Sequence, residues 1–175
     1  MTDRPPTLTL GFLTVFHDPN GYLGGYLTTN SWGRPLEFRL TTAVQPSRIQ
    51  EVLYGRTLTE YIHADLIGKT LVEKTGTPPT IVITNVPTVL PLRSRIDVPV
   101  IALAADASAA SDALSLTHAR AKGVILFPAR FPEDRATIEQ LLEAIDPAVD
   151  LTEPFARIRE AVAEARKMGV TGRAA

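Results

Sequence analysis

Residues 7 to 74 constrain this chain more than any other stretch, because they place two hairpin-like reversals directly ahead of a long amphipathic helix. Residues 8 to 16 read as a strand. Leu8, Leu10, Phe12 and Phe16 share one face while Leu13 and Val15 share the other, so both faces are expected to be at least partly covered. Asp18-Pro19-Asn20-Gly21 is suited to a tight reversal, since glycine tolerates positive φ. Residues 22 to 29 form the next strand, and the paired Gly24 and Gly25 mark a bulge or a close backbone approach. After a second reversal over residues 30 to 34, residues 35 to 42 alternate: Leu36, Phe38 and Leu40 are expected inward, Glu37, Arg39 and Thr41 outward. The three segments make an antiparallel meander.

A helix then opens at Ser47, a suitable N-cap with Gln50 three residues on, as in a capping box. Gly55 breaks it from a longer helix whose Leu58, Tyr61, Ile62, Leu66, Ile67 and Leu71 form a broad apolar stripe, ended by Gly76 and Pro78-Pro79. Short buried strands are expected at 81–83, 98–103 and 123–127. Residues 104–122 are Ala- and Ser-rich and compatible with a helix. Amphipathic helices follow at 133–145 and 153–168, the last carrying Phe155, Ile158, Val162 and Ala165 at helical spacing. The expected organisation is a flexible start over residues 1–6, one α/β domain over 7–150, a helix over 151–170 and a frayed tail over 171–175. The class is a mixed α/β sheet led by a three-stranded meander. The element order is that of the ribonuclease H-like fold, although other mixed sheets share it.

Bulk properties remove several functions. Apolar residues make up 45% of 175, enough for a real core. The formal charge of -1 comes from 18 basic and 19 acidic residues without a long like-charge run, so no bulk attraction to nucleic acid or an anionic membrane is expected. Cysteine is absent, which excludes disulfides, thiolate metal sites and cysteine nucleophiles. Neither a secretory h-region nor a membrane-spanning apolar stretch is visible, and a cytoplasmic location is expected.

Metal-dependent nucleases of ribonuclease H-like topology need carboxylates on the first strand, near the first helix and at the end of the fourth strand, to hold two divalent ions. Here the first strand has none, and the fourth ends in the uncharged Thr84-Asn85. An atypical hydrolytic site could draw only on His17, Asp18, Glu51 and Asp65. His17 and Asp18 are neighbours in a strand, so their side chains should point to opposite faces, and Asp at a turn commonly bonds its own backbone. His63 and His118 show no metal-ligand spacing, and no phosphate loop or nucleophile elbow is present. Arg93 and Arg95 form a possible anion grip, against the plainer reading of two solvated arginines. No metal or cofactor is expected.

What remains is a set of polar and aromatic residues around turns and helix starts: Asn30, Trp32, Arg34, Glu37 and Arg39 from the second hairpin, and Gln50, Tyr54, Arg56 and Tyr61 from the helices. Trp, Tyr and Arg dominate protein interface hot spots. Against this, Trp32 could fold back onto the sheet and Arg39 could pair with Glu37. Gly24-Gly25-Tyr26-Leu27, Trp32-Gly33-Arg34-Pro35-Leu36-Glu37-Phe38 and Leu53-Tyr54-Gly55 resemble segments of conserved bacterial proteins that have no assigned activity. The resemblance covers residues 8 to 74, implies a bacterial intracellular setting and transfers no catalytic residue. The leading expectation is a non-catalytic binding or assembly module with a protein partner, using Asn30, Trp32, Arg34, Glu37, Arg39, Gln50, Tyr54 and Arg56. The alternatives are the atypical hydrolase or nuclease, and a small-ligand sensor with the glycine-lined strand as a pocket wall. Helix 153–168 could cap the sheet or pair with a second copy.

Overall fold

A computed structural model describes residues 7–169. Seven strands form one mixed sheet: β1 (Leu10–Asp18), β2 (Gly21–Thr29), β3 (Pro35–Leu40), β4 (Ile81–Thr84), β5 (Val100–Ala104), β6 (Ala113–Leu116) and β7 (Val124–Pro128). Their order is β3-β2-β1-β4-β5-β7-β6. β1, β2 and β3 are the expected antiparallel meander, and β4 and β5 run parallel to β1. β7 and β6 extend the sheet in antiparallel fashion. The expected flexible start, residues 1–6, and the tail, 171–175, lie outside the described residues.

The central strands are nearly continuous apolar runs because helical layers cover both of their faces. One face carries α3 (Asp134–Ala144) and α4 (Glu153–Lys167), whose Ile138, Leu142, Phe155, Ile158 and Val162 close over Leu10, Phe12, Ile83 and Phe127. Phe12 meets Phe155 edge-on, centroids 5.7 Å apart, a geometry worth about 1 kcal/mol beyond the area buried. The apolar stripe of α4 therefore caps the sheet and is spent inside this chain. The other face carries α2, a continuous helical run of Leu58–Glu60, Tyr61–Gly68 and Lys69–Lys74, together with the 3-10 segment Pro87–Arg95. α2 widens to π-type bonding over Tyr61–Gly68, and the Lys69 N–H reaches the Ala64 carbonyl.

Gly24 and Gly25 are close-approach positions. A Cβ on Gly24 would collide with Ile67 of α2, and one on Gly25 with Ile158 of α4, so the two glycines let helices approach the strand from opposite sides. The register through them is regular; the bulge lies at Thr28/Thr29 instead. Side chains fill this space, so the glycines do not form a pocket wall.

Two sequence expectations need correction. Residues 104–122 are not a helix: after a short 3-10 turn at Ala107–Ala109 they supply edge strand β6. The run has no helical apolar stripe to bury, and Asp106 takes the Ser108 N–H locally, a bond that competes with helix formation. Leu36 and Phe38 are not inward. β3 is the outermost strand, α4 packs over β1 and β2, and both side chains are exposed beyond its cover. Alternation reports which side chains share a face, but not whether a layer lies over it.

Candidate functional site

Glu37 departs furthest from its expected role. It is turned toward the end of α2, where its Oε2 accepts the Thr75 hydroxyl at 2.6 Å and the N–H groups of Gly76 and Thr77 at 2.9 and 3.2 Å. Its Oε1 takes Arg39 Nε at 2.7 Å. The Thr75 hydroxyl, foremost, and Arg39 after it hold its carboxyl down at about 2. Glu37 thus ties the edge strand to the helix terminus, a fold-building role in which Arg39 shares.

Asn30 and Gln50 are likewise absorbed by backbone. Asn30 Oδ1 accepts the N–H groups of Trp32 and Arg34, each at 3.0 Å, fixing the second hairpin turn. Gly33, at φ +80, occupies the left-handed position of that turn, and Arg157 of α4 donates to its carbonyl at 3.0 Å. Ser47 and Gln50 complete the capping box of α1 (Arg48–Tyr54): Ser47 N–H donates to Gln50 Oε1 at 2.9 Å, and Gln50 N–H to Ser47 Oγ at 3.2 Å. Tyr54 stacks on Tyr61 with centroids 4.5 Å apart, and hydrogen bonding to the Tyr61 hydroxyl pushes its phenol above the ordinary range.

With the turn backbone satisfied by Asn30 and Arg157, the Trp32 side chain is free, 72% exposed. Arg34 is exposed beside it and has no ion-pair partner among the described residues. Trp32 in the turn and Leu36 and Phe38 on edge strand β3 are exposed large apolar side chains within seven residues of one another. On the α2 side of the same strand, an open groove of about 480 Å³ is lined by Phe38, Arg39, Thr41, Thr70 and Lys74. A second apolar surface lies on α1, which buries none of its residues and exposes Ile49, Val52 and Leu53 at i, i+3 and i+4. Sequence reading passed over this stripe. Its spacing was visible, but identical spacing marks a helix that packs inward.

The hydrolase candidates are dispersed. His17 lies on the α2 face, stacked on Tyr22 at 4.0 Å, while Asp18 lies on the opposite face and pairs with Arg166 of α4. Glu51 pairs with Arg48 on α1, and Asp65 with Arg95. Among the described residues no group of three or more His, Asp or Glu side chains is placed to hold a metal ion. Just past the end of β4, Asn85 Oδ1 accepts the hydroxyl of Thr14, in the middle of β1, at 2.7 Å.

The two candidate anion-gripping arginines are both engaged. Arg93 pairs with Asp134 through Nε–Oδ2 at 2.8 Å and stacks over Phe131 at 4.0 Å, while Arg95 holds Asp65. No protein-family model matches the chain, and no curated protein matches it. Any functional reading therefore rests on geometry. Among the described residues no helix is long and apolar enough to cross a membrane.

His63 belongs to a small polar inclusion in the α2 face. Its Nδ1 meets Thr88 Oγ1 at 2.6 Å, its ring is edge-on to Tyr22 at 5.4 Å, and its Nε2 is buried without a partner. Burial, helped by the nearby His17, lowers its imidazole to about 4, so the ring is neutral at ordinary pH.

Proposed function

We propose that this chain is a non-catalytic binding or assembly module of a bacterial intracellular protein complex, and that it takes an extended, acidic and apolar segment of a partner protein along the edge of β3. The observation that carries the reading is the exposure of Trp32, Leu36 and Phe38, large apolar side chains left uncovered in and beside an outermost strand. Adding a strand to such an edge gives affinity through main-chain hydrogen bonds and specificity through alternate side chains. Charge selects the partner: Arg34 stands exposed two residues after Trp32 and Lys74 lines the groove on the α2 side of β3, while Glu37 is neutralised by Arg39 and three donors. The opposite edge, β6, is less open, because Arg135 donates to the Ser115 carbonyl at 3.1 Å. The absence of cysteine is compatible with a reducing compartment.

The test uses synthetic peptides with alternating Val and Glu, measured by fluorescence anisotropy, with amide protection mapped by NMR. The expected result is saturable binding that protects β3 amides and is lost in Trp32→Ala/Arg34→Ala without a change in fold. Equal binding of Val/Lys peptides, or retained binding by the double variant, would count against the reading. In native extract, a specific partner should vanish with the same variant.

A further inference from the structure

We infer that the chain carries a second, independent site: a cleft that binds a small zwitterion with an apolar body, of the α-amino acid class. The cleft, about 420 Å³, lies between the 3-10 segment Pro87–Arg95 and residues 109–113, which lead from β5 into β6, with Pro128 and Arg130 at the end of β7 on its border. The volume lies within the range of small-ligand sites.

Its lining has two parts. Leu90, Pro91 and Pro128 make an apolar wall, and Arg130, Glu60 and Asp112 stand around it. Arg130 is exposed and, among the described residues, has no carboxylate partner. Glu60 and Asp112 likewise have no cationic partner there, in contrast to the engaged Arg93, Arg95 and Arg120 elsewhere. One free guanidinium and two free carboxylates in one concavity suit a molecule bearing both a carboxylate and an ammonium group. The guanidinium would hold the carboxylate through a forked hydrogen bond, and the acids would hold the ammonium. A purely anionic ligand would face the uncompensated acids, and a purely cationic one would face Arg130. Glu60, Pro91 and Arg130 also line an adjoining cleft of about 410 Å³ beside the stacked Tyr54 and Tyr61, so an aromatic side chain has room to extend.

Thermal unfolding of the full chain with L-leucine, L-phenylalanine, leucinamide and N-acetyl-leucine tests this. Leucine or phenylalanine should raise the melting temperature saturably by roughly a few degrees, as ligand binding to the native state requires. The two blocked analogues should fail. Arg130→Gln and Asp112→Asn, both at exposed positions, should melt like the parent without ligand and bind on the order of tenfold more weakly. No saturable shift with either amino acid overturns the proposal, as does binding of leucinamide or N-acetyl-leucine equal to that of leucine. A shift that survives both substitutions would place the ligand elsewhere and overturn it equally.

Discussion

Replacing His63 with Gln should remove the histidine's own share of the stability lost as the pH falls from neutral to about 4.5. In the folded chain the imidazole is held neutral down to about pH 4, because burial penalises its charged form and His17 adds repulsion. In the unfolded chain it titrates near the ordinary 6.5. Above that value the ring is neutral in both states and contributes nothing to the pH dependence. Between 6.5 and 4 the unfolded chain binds a proton that the folded chain refuses, so stability falls as the pH falls; below 4 both states are protonated and the slope levels off. At about 1.36 kcal/mol per pH unit the full interval amounts to about 3 kcal/mol. Its neighbours reach solvent, with His17 exposed and Thr88 lining an open cleft, so we expect about 2 kcal/mol. Gln can keep a hydrogen bond to Thr88 but does not titrate. Urea denaturation of both proteins at pH 7.5 and at about pH 4.5 isolates the histidine, because the carboxylates titrate alike in each. Equal losses of stability in the two proteins would refute the reasoning, as would an NMR titration placing the His63 imidazole at or above 6.5.

Other consequences follow from packing and pairing. Asp134→Ala strands Arg93, whose guanidinium is 16% exposed and whose partner carboxylate is 8% exposed. Breaking such a pair costs about 3–5 kcal/mol, and the surviving contacts to Phe131 and the Ile96 carbonyl put the expectation near about 3 kcal/mol by chemical denaturation. Gly24→Ala drives a Cβ into Ile67 Cγ2 and to 2.9 Å from Leu71 Cδ1, so it should destabilise by about 2 kcal/mol, with Ile67→Leu, which lacks that branch methyl, restoring part of the loss. Ser47→Ala removes a cap worth about 1 kcal/mol from a helix that buries nothing. Hydrogen exchange over residues 48–54 should therefore quicken while the global melting temperature stays unchanged.

The meander, the capping box, the break at Gly55 and the last two helices were legible because each has a local cause. Ser47 and Gln50 satisfy each other across three residues, and β1 and β2 reverse at Pro19-Asn20 with Gly21 at φ +117. What failed depended on a neighbouring layer. Leu36-Glu37-Phe38 alternates like a half-buried strand, yet the alternation cannot tell that α4 stops short of β3 or that Glu37 turns back to Thr75. Residues 113–116 become a strand only because β7, at Ile125 to Pro128, offers them an edge, a partner with no counterpart in local pattern. The cleft lined by Glu60, Asp112 and Arg130 was invisible for the same reason, since three separate segments meet there.

The candidate binding residues divide by a single physical criterion, whether the backbone has already claimed the side chain. Asn30 spends its Oδ1 on two turn N–H groups, Gln50 spends its Oε1 on the N-cap, and Glu37 spends one oxygen on Thr75, Gly76 and Thr77 and the other on Arg39. Residues of these types at turns and caps are chosen for that work, so their polarity says little about partners. Trp32 is the converse. Only its main-chain N–H takes part in the turn, and the indole, the most costly group in the hairpin to leave in water, contributes no core contact that would explain its exposure. An exposed aromatic whose own turn is held by other residues is under no folding constraint. It is the position where a demand from outside the chain is most economically read.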